Sequence, residues 1–145
     1  MPWRTSYRSK LCTPAEAVSF LRPDARVYLG GNAATPRVLA DALLQRAEAI
    51  AGVTVSHVLL LGDDPFPNKA TNGHIRHHAW FVGPADRAAV NAGDAEYVPC
   101  HLSDIPRLIR ADPRPLDAAL LMTSPPDQHG LMSLGVEILA SLAAA

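Results

Sequence analysis

Two short stretches of the 145-residue chain hold residue types that could do chemistry. The first is "LGGNAATP" at 29–36. A glycine turn between a strand and a helix leaves backbone N–H groups without helical partners, and a helix start adds positive potential. Gly30, Gly31 and Asn32 thus form a candidate cradle for an anion or a polarised carbonyl. The stretch is not G-x-G-x-x-G and lacks the Lys and Ser/Thr of a phosphate loop. A tight turn that simply needs glycine accounts for the same residues, and both readings stay open. The second stretch is "MTSPPDQHGLMSLG" at 122–135. Ser124 stands where an apolar strand should end, and ligands of open α/β sheets bind outside the carboxyl ends of strands. Pro125 and Pro126 stiffen the path, while Asp127 and Gly130 suit the first and fourth positions of a type I turn. The loop then presents Asp127, Gln128 and His129, or else Asp127 only caps the turn and His129 is a surface side chain.

Other reactive residues fit known chemistry less well. His74, His77 and His78 would share a helix face, which suggests a metal, but they follow a loop rich in Pro, Gly and Asn and have no acidic or cysteine ligand at suitable spacing. We therefore expect a surface loop and no metal. His57, inside an apolar run, is expected to be a hydrogen-bonded core histidine. No G-x-S-x-G turn offers an activated serine. Of the four glutamates, Glu16 closes a capping box, Glu48 lies on a helix surface, Glu96 precedes a strand and Glu137 lies in a tail without visible support. None reads as an activated carboxylate.

The elements that must position these stretches are legible in outline. "TPAEAVSFL" (13–21) starts with a Thr13–Glu16 capping box and reads as a helix. "ARVYLGG" (25–31) and "GVTVSHVLLL" (52–61) read as buried strands around a helix over 35–50. Thr35 is its expected cap and Pro36 its first residue, with Val38, Leu39, Ala42, Leu43 and Ile50 on its inner face. Residues 62–78 read as loop, 79–83 as a short strand, 84–93 as a helix closed by Gly93 and 95–102 as an edge strand. Residues 103–110 read as helical turns, 118–124 as a third apolar strand and 133–145 as a weak helix or strand. Strongly apolar strands alternating with helices predict an α/β fold, a mostly parallel sheet with helices on both faces, in one domain over 1–145.

Composition sets outer limits. Hydrophobic residues make up 48% and charged residues 19%, the profile of an ordinary globular protein. A net charge of −1, from 13 basic and 14 acidic residues, argues against a nucleic-acid partner. Cys12 and Cys100, far apart, suggest two reduced and mostly buried thiols. The start has no apolar leader and no run reaches the ~18 apolar residues of a membrane span, so a cytoplasmic protein is expected.

Four stretches taken together resemble one family. "GGNAATPRVLADALLQR" (30–46), "WFVGPADRAAVNAGDAEYVPCHLSDIP" (80–106), "DAALLMTSPPDQHGLMSLG" (117–135) and the opening "W..SY..K.CTPAEAV" resemble the N-terminal part of the acetyl-CoA hydrolase/transferase family. That family includes acetate, succinate and 4-hydroxybutyrate CoA-transferases. The resemblance implies a CoA-transferase-like fold of two related α/β halves with the active site between them. It implies CoA transfer from acetyl-CoA or a similar short acyl-CoA to a carboxylate or to water, with coenzyme A as substrate and no metal.

In the family a glutamate of the other half attacks the thioester, forming first an acyl-glutamyl anhydride and then a glutamyl-CoA thioester. No catalytic residue is therefore expected in this chain. The residues carried over are supporting ones: Gly30, Gly31 and Asn32 facing the acyl group or CoA, and Ser124, Pro125, Asp127, His129 and Gly130 of an S-P-x-D-x-H-G loop bordering the cleft. Phe81, Gly83 and Arg87 match an F-x-G-x-x-x-R stretch of structural character. Expected partners are acyl-CoA, a short carboxylic acid, and a second polypeptide bearing the remaining half or a further copy of the chain. A surface left apolar for that half is also expected. The alternatives are an inactive truncated remnant or CoA-binding module, and a sugar-phosphate-binding protein.

Overall fold

A computed structural model describes residues 2–145. Five strands, β1 (Arg26–Leu29), β2 (Val53–His57), β3 (Ile75–Ala79), β4 (Glu96–Tyr97) and β5 (Ala118–Leu120), form one sheet in the order β4-β3-β2-β1-β5. All four pairings are parallel, with Val27 opposite both Val55 and Ala118, and Val55 opposite His77. Parallel neighbours need crossovers, and seven short helices supply or flank them: α1 (Pro2–Ser9), α2 (Pro14–Ala17), α3 (Arg37–Leu44), α4 (Asn68–Thr71), α5 (Arg87–Ala92), α6 (Ile105–Ala111) and α7 (Ser141–Ala144). The expected α/β fold with a mostly parallel sheet is what the chain adopts.

Strand alternation sorts the core into two layers. Val27, Leu29, Val53 and Val55 pack against Ala40, Leu43, Ala47 and Ile50 of α3 and the turn after it, and against Val18 and Leu21. Each fully buried Val, Leu or Ile here stabilises the fold by about 1.5–3 kcal/mol before the entropy of ordering is charged against it. Tyr28 and Trp80 face the other way, onto Ile105 and Ile109 of α6 and Ala140 beside α7. Their rings lie 6.3 Å apart.

Several elements differ from the sequence reading. β3 is the largest difference: 75–79 is a strand and 68–71 a short helix, where a loop was expected. Ile75, His77 and Ala79 point inward with the period of a strand, and the histidine disguises the pattern. Only Ala79 of the expected 79–83 strand is in the sheet, and Phe81 is exposed. α3 starts at Arg37, with Pro36 outside it as the capping residue and no side-chain cap, and ends at Leu44 before a 3₁₀ turn at Ala47–Ala49. The Thr35 hydroxyl donates instead to the Asn32 carbonyl at 3.0 Å. Val38, placed on the inner face by spacing, is 65% exposed, because Ala40, Leu43 and Ala47 form the buried stripe. The capping box forms as expected, but its helix closes after one turn, at Ala17. Cys12 is exposed and Cys100 only half-buried, so neither is the buried thiol expected.

Among the described residues, six of the thirteen large exposed hydrophobics lie in the last quarter of the chain: Met122, Leu131, Met132, Val136, Ile138 and Leu142. Among the described residues, no helix is long and apolar enough to cross a membrane.

Candidate functional site

The glycine turn leaves β1 at the carboxyl edge of the sheet and is stitched down on three sides. The Gly30 amide donates to the Leu120 carbonyl at 2.9 Å, at the end of β5. The Asn32 amide donates to the Leu59 carbonyl at 2.8 Å, just past β2. Between them the Gly31 amide donates to Glu137 Oε2 at 3.0 Å. Gly31 is fixed by space: a Cβ there would lie 2.3 Å from the Leu59 carbonyl oxygen. Asn32 takes up the left-handed backbone at φ 51°, one of the few non-glycine residues suited to it. The amides of Gly30, Gly31 and Asn32, expected to be free for an anion, are thus engaged within the fold, because neighbouring strand ends converge on this turn.

Glu137 is the residue that sequence reading missed. Far from lying in an unsupported tail, it is 1% exposed. Its Oε2 accepts from Gly31 and its Oε1 accepts from the Ser141 hydroxyl at 2.6 Å. Both carboxyl oxygens have a donor, as a buried acid requires. The Tyr28 phenol nearby is pushed above its usual pKa by burial, with the Glu137 charge adding to the effect. The only local signal was Ser141 four residues after Glu137, since the main partner lies 106 residues away.

The 122–136 segment forms a closed loop. The Ser124 amide donates to the Ser133 carbonyl at 2.8 Å, and the Ser133 amide donates back to Ser124 Oγ at 3.0 Å. At the tip, the Gly130 amide donates to the Asp127 carbonyl at 3.1 Å, the contact of the expected turn. Asp127 Oδ1 accepts from the His129 and Leu131 amides at 2.8 and 2.9 Å. These bonds, Leu131 first and then His129, hold the Asp127 carboxyl well below the usual range. Gly130, at φ 87°, lies flat against the Trp3 ring, where a Cβ would come within 2.8 Å. His129 is exposed and its Nε2 meets the Gln128 amide at 3.0 Å.

The turn and the loop meet in one shallow cleft of about 190 Å³, lined by Ala33 and Ala34 on one side and by Met122, Thr123, Ser124 and 133–136 on the other. Of the candidate residues, Ser124 lines it directly. Gly30, Gly31 and Asn32 form the backbone leading into it. Asp127, His129 and Gly130 stand at the loop's far end, beside Trp3.

A second polar group lies at the same sheet edge. His77 Nε2 meets Asp64 Oδ1 at 2.9 Å, and His57 Nε2 meets His77 Nδ1 at 3.0 Å. With Asp64 accepting, His77 carries a proton on Nε2, and its Nδ1 shares a hydrogen bond with His57 Nε2. Burial, chiefly, lowers the pKa of His57 to about 3, with the neighbouring histidines adding to it. Asp86 Oδ1 accepts from the Gly83 amide at 2.8 Å, while its Oδ2 is 3.7 Å from His57. His57 is the hydrogen-bonded core histidine expected, although it ends β2 rather than sitting inside it. His78 points to the opposite face, with its Nδ1 3.0 Å from Ser56 Oγ. His77 and His78 therefore lie on opposite faces of the sheet. Among the described residues, no group of three or more His, Cys, Asp or Glu is placed to hold a metal.

Comparison with known proteins bears on this arrangement. The chain is 35% identical over 136 residues to a 4-hydroxybutyrate coenzyme A transferase of Clostridium kluyveri, covering 94% of this chain and 32% of that protein. It is 36% identical over 125 residues to a succinyl-CoA:acetate/propanoyl-CoA:succinate CoA transferase of Fasciola hepatica, covering 85% and 26%. Among solved structures, RipA from Yersinia pestis superposes with a TM-score of 0.77 at 30% identity, over 94% of this chain and 34% of that one. A 4-hydroxybutyrate CoA-transferase from Porphyromonas gingivalis gives 0.70 at 29% identity, over 98% and 32%. The chain thus spans about a third, or less, of the length of these relatives. The profile of the acetyl-CoA hydrolase/transferase N-terminal domain matches residues 1–145, and the chain belongs to that family.

Proposed function

We propose that the chain forms one wall of an acyl-CoA site, working in CoA transfer between a short acyl-CoA and a carboxylate, or hydrolysis when water takes the acceptor's place. The observation carrying this reading is the shared cleft. The end of the glycine turn and Ser124 of the proline-braced loop, two of the stretches that resemble the family, line one concave surface at the carboxyl edge of a parallel sheet. Because the turn amides already have partners within the fold, this wall acts by shape and backbone position. Gly30, Gly31 and Asn32 lead the backbone to Ala33 and Ala34 on one side, Ser124 lines the other, and Asp127 and Gly130 hold the loop that carries it, with His129 at its tip.

The reacting carboxylate comes from outside residues 1–145. It attacks the thioester carbonyl and expels CoA thiolate. The thiolate then attacks the glutamyl carbonyl of the anhydride, releasing the first carboxylic acid and leaving glutamyl-CoA. An acceptor carboxylate repeats the two exchanges in reverse, or water hydrolyses the glutamyl-CoA thioester.

The test is reconstitution. The 145-residue chain is mixed or co-expressed with a polypeptide carrying the remaining two-thirds of a family member, and acetyl-CoA-dependent CoA transfer to short carboxylates is followed. Turnover is expected only with both parts. Turnover by the chain alone would refute the need for a lent carboxylate. A folded complex that fails to bind any acyl-CoA would refute the reading as a whole.

A further inference from the structure

The loop that carries Ser124 is built mostly of exposed residues. Between Met122 and Val136 only Pro126, Gly130 and Leu134 are half-buried. Its large apolar side chains Leu131 and Met132 face solvent. Its hydrogen bonds join one part of the loop to another: Ser124 with Ser133 at the neck, and Asp127 with His129, Gly130 and Leu131 at the tip. Hydrogen bonds so exposed open readily unless apolar packing covers them.

Trp3 of α1 supplies that packing. A Cβ on Gly130 would lie 2.8 Å from Trp3 Cδ2 and 2.9 Å from its Cγ, so the loop backbone presses on the indole itself. Of the described side chains of α1, only Trp3 and Tyr7 are not exposed, and their spacing of four puts them on one face of the helix. The Arg4 guanidinium carbon lies 5.4 Å over the same ring. The indole Nε1 is buried and has no hydrogen-bond partner among the described residues. The contact is therefore ring area against glycine backbone.

We propose that Trp3 is a positioning residue of the acyl-CoA wall. Its ring, docked on Gly130, holds the tip of the loop and so keeps Ser124 in the cleft, and α1 thereby sets how tightly the site grips acyl-CoA. The inference rests on the acyl-CoA reading of the cleft. Trp3 acts through Gly130 and the loop, without touching the reacting atoms.

Hydrogen exchange in the 145-residue chain tests the docking, whatever the cleft binds. Trp3→Ala should speed exchange at the Ser124 and Ser133 amides about ten-fold and leave the β1 and β2 amides at parent rates. Trp3→Phe keeps a ring on Gly130 without a buried, unpartnered N–H, and should return both amides to parent rates. In the complex with the remaining two-thirds of a family member, Trp3→Ala should raise KM for acetyl-CoA about ten-fold with kcat within about two-fold, and Trp3→Phe should match the parent. Unchanged exchange at Ser124 and Ser133 in Trp3→Ala, equal acceleration across the sheet, no rescue by Trp3→Phe, or a fall in kcat at unchanged KM would overturn the proposal. A parent complex that binds no acyl-CoA would overturn the reading of the cleft and the role in grip with it. Exchange that still quickens in Trp3→Ala would then show that the failure lies in that reading and not in the docking.

Discussion

Removing the Glu137 side chain is the sharpest probe of how the glycine turn is held. In Glu137→Ala, the Gly31 amide and the Ser141 hydroxyl both lose their acceptor inside the protein. A buried donor left unsatisfied costs about 1–3 kcal/mol, and the volume vacated beneath the turn adds to this. The expected loss is about 3–5 kcal/mol, a large part of a typical domain's total of about 5–15 kcal/mol. Glu137→Gln separates hydrogen bonding from packing. Its amide oxygen can accept from Gly31 while its NH₂ donates to Ser141 Oγ, the serine hydroxyl simply reversing its role, so the loss should stay near 1 kcal/mol. Urea unfolding followed by tryptophan emission reads both variants. With a slope of about 2 kcal/mol/M, the alanine variant's midpoint should fall by about 2 M and the glutamine variant's by about 0.5 M. An alanine midpoint within about 0.3 M of the parent would show that Glu137 does not hold the turn. Equal losses in the two variants would show that packing, not the paired hydrogen bonds, is what matters.

Three further outcomes are expected. His57 has a native pKa of about 3 against about 6.5 when unfolded, so between those values the unfolded chain binds a proton that the native chain refuses. Stability should therefore fall by about 4–5 kcal/mol as pH drops from 6.5 to 3, and unfolding midpoints that stay flat between pH 6.5 and 4 would contradict the buried neutral imidazole. Gly31→Ala places a Cβ 2.3 Å from the Leu59 carbonyl oxygen and should cost about 2–4 kcal/mol. Gly93→Ala, with φ 80° but nothing within 4 Å, should cost only about 1 kcal/mol, and equal thermal-unfolding losses would discount the close approach. Asp127→Ala should speed hydrogen exchange at the His129 and Leu131 amides while leaving the sheet unchanged, and unaltered protection at those two amides would remove Asp127 from its capping role.

What the sequence made legible was local chemistry. The Thr13–Glu16 box, the Asp127–Gly130 turn and the left-handed Gly93 cap each depend on residues within four positions of one another, and each formed as read. β1 and β2 were legible because their inward residues are aliphatic. β3 was not, because one of its three inward residues is His77, whose polarity is absorbed by His57 and Asp64 from other parts of the chain. Glu137 was illegible for the same reason at greater range, since nothing near it in sequence announces a bond to Gly31. The turn amides were misjudged because a turn's own residues do not say which strand ends will crowd in on it. The resemblance to a family located the cleft's two sides, but not which of their residues reach it.

The strand order has a consequence for how the chain comes to be folded. β1, β2 and β3 can pair as soon as residue 79 has been synthesised, but the other side of β1 stays bare until β5 arrives, some ninety residues after Val27. For that interval a strand whose Val27, Tyr28 and Leu29 end fully buried offers a row of unpaired amides and carbonyls to any neighbouring chain. Pairings so distant in sequence also close slowly. Nascent chains released before residue 118 should therefore associate through the β1 edge, whereas chains that have reached β5 cover that edge themselves.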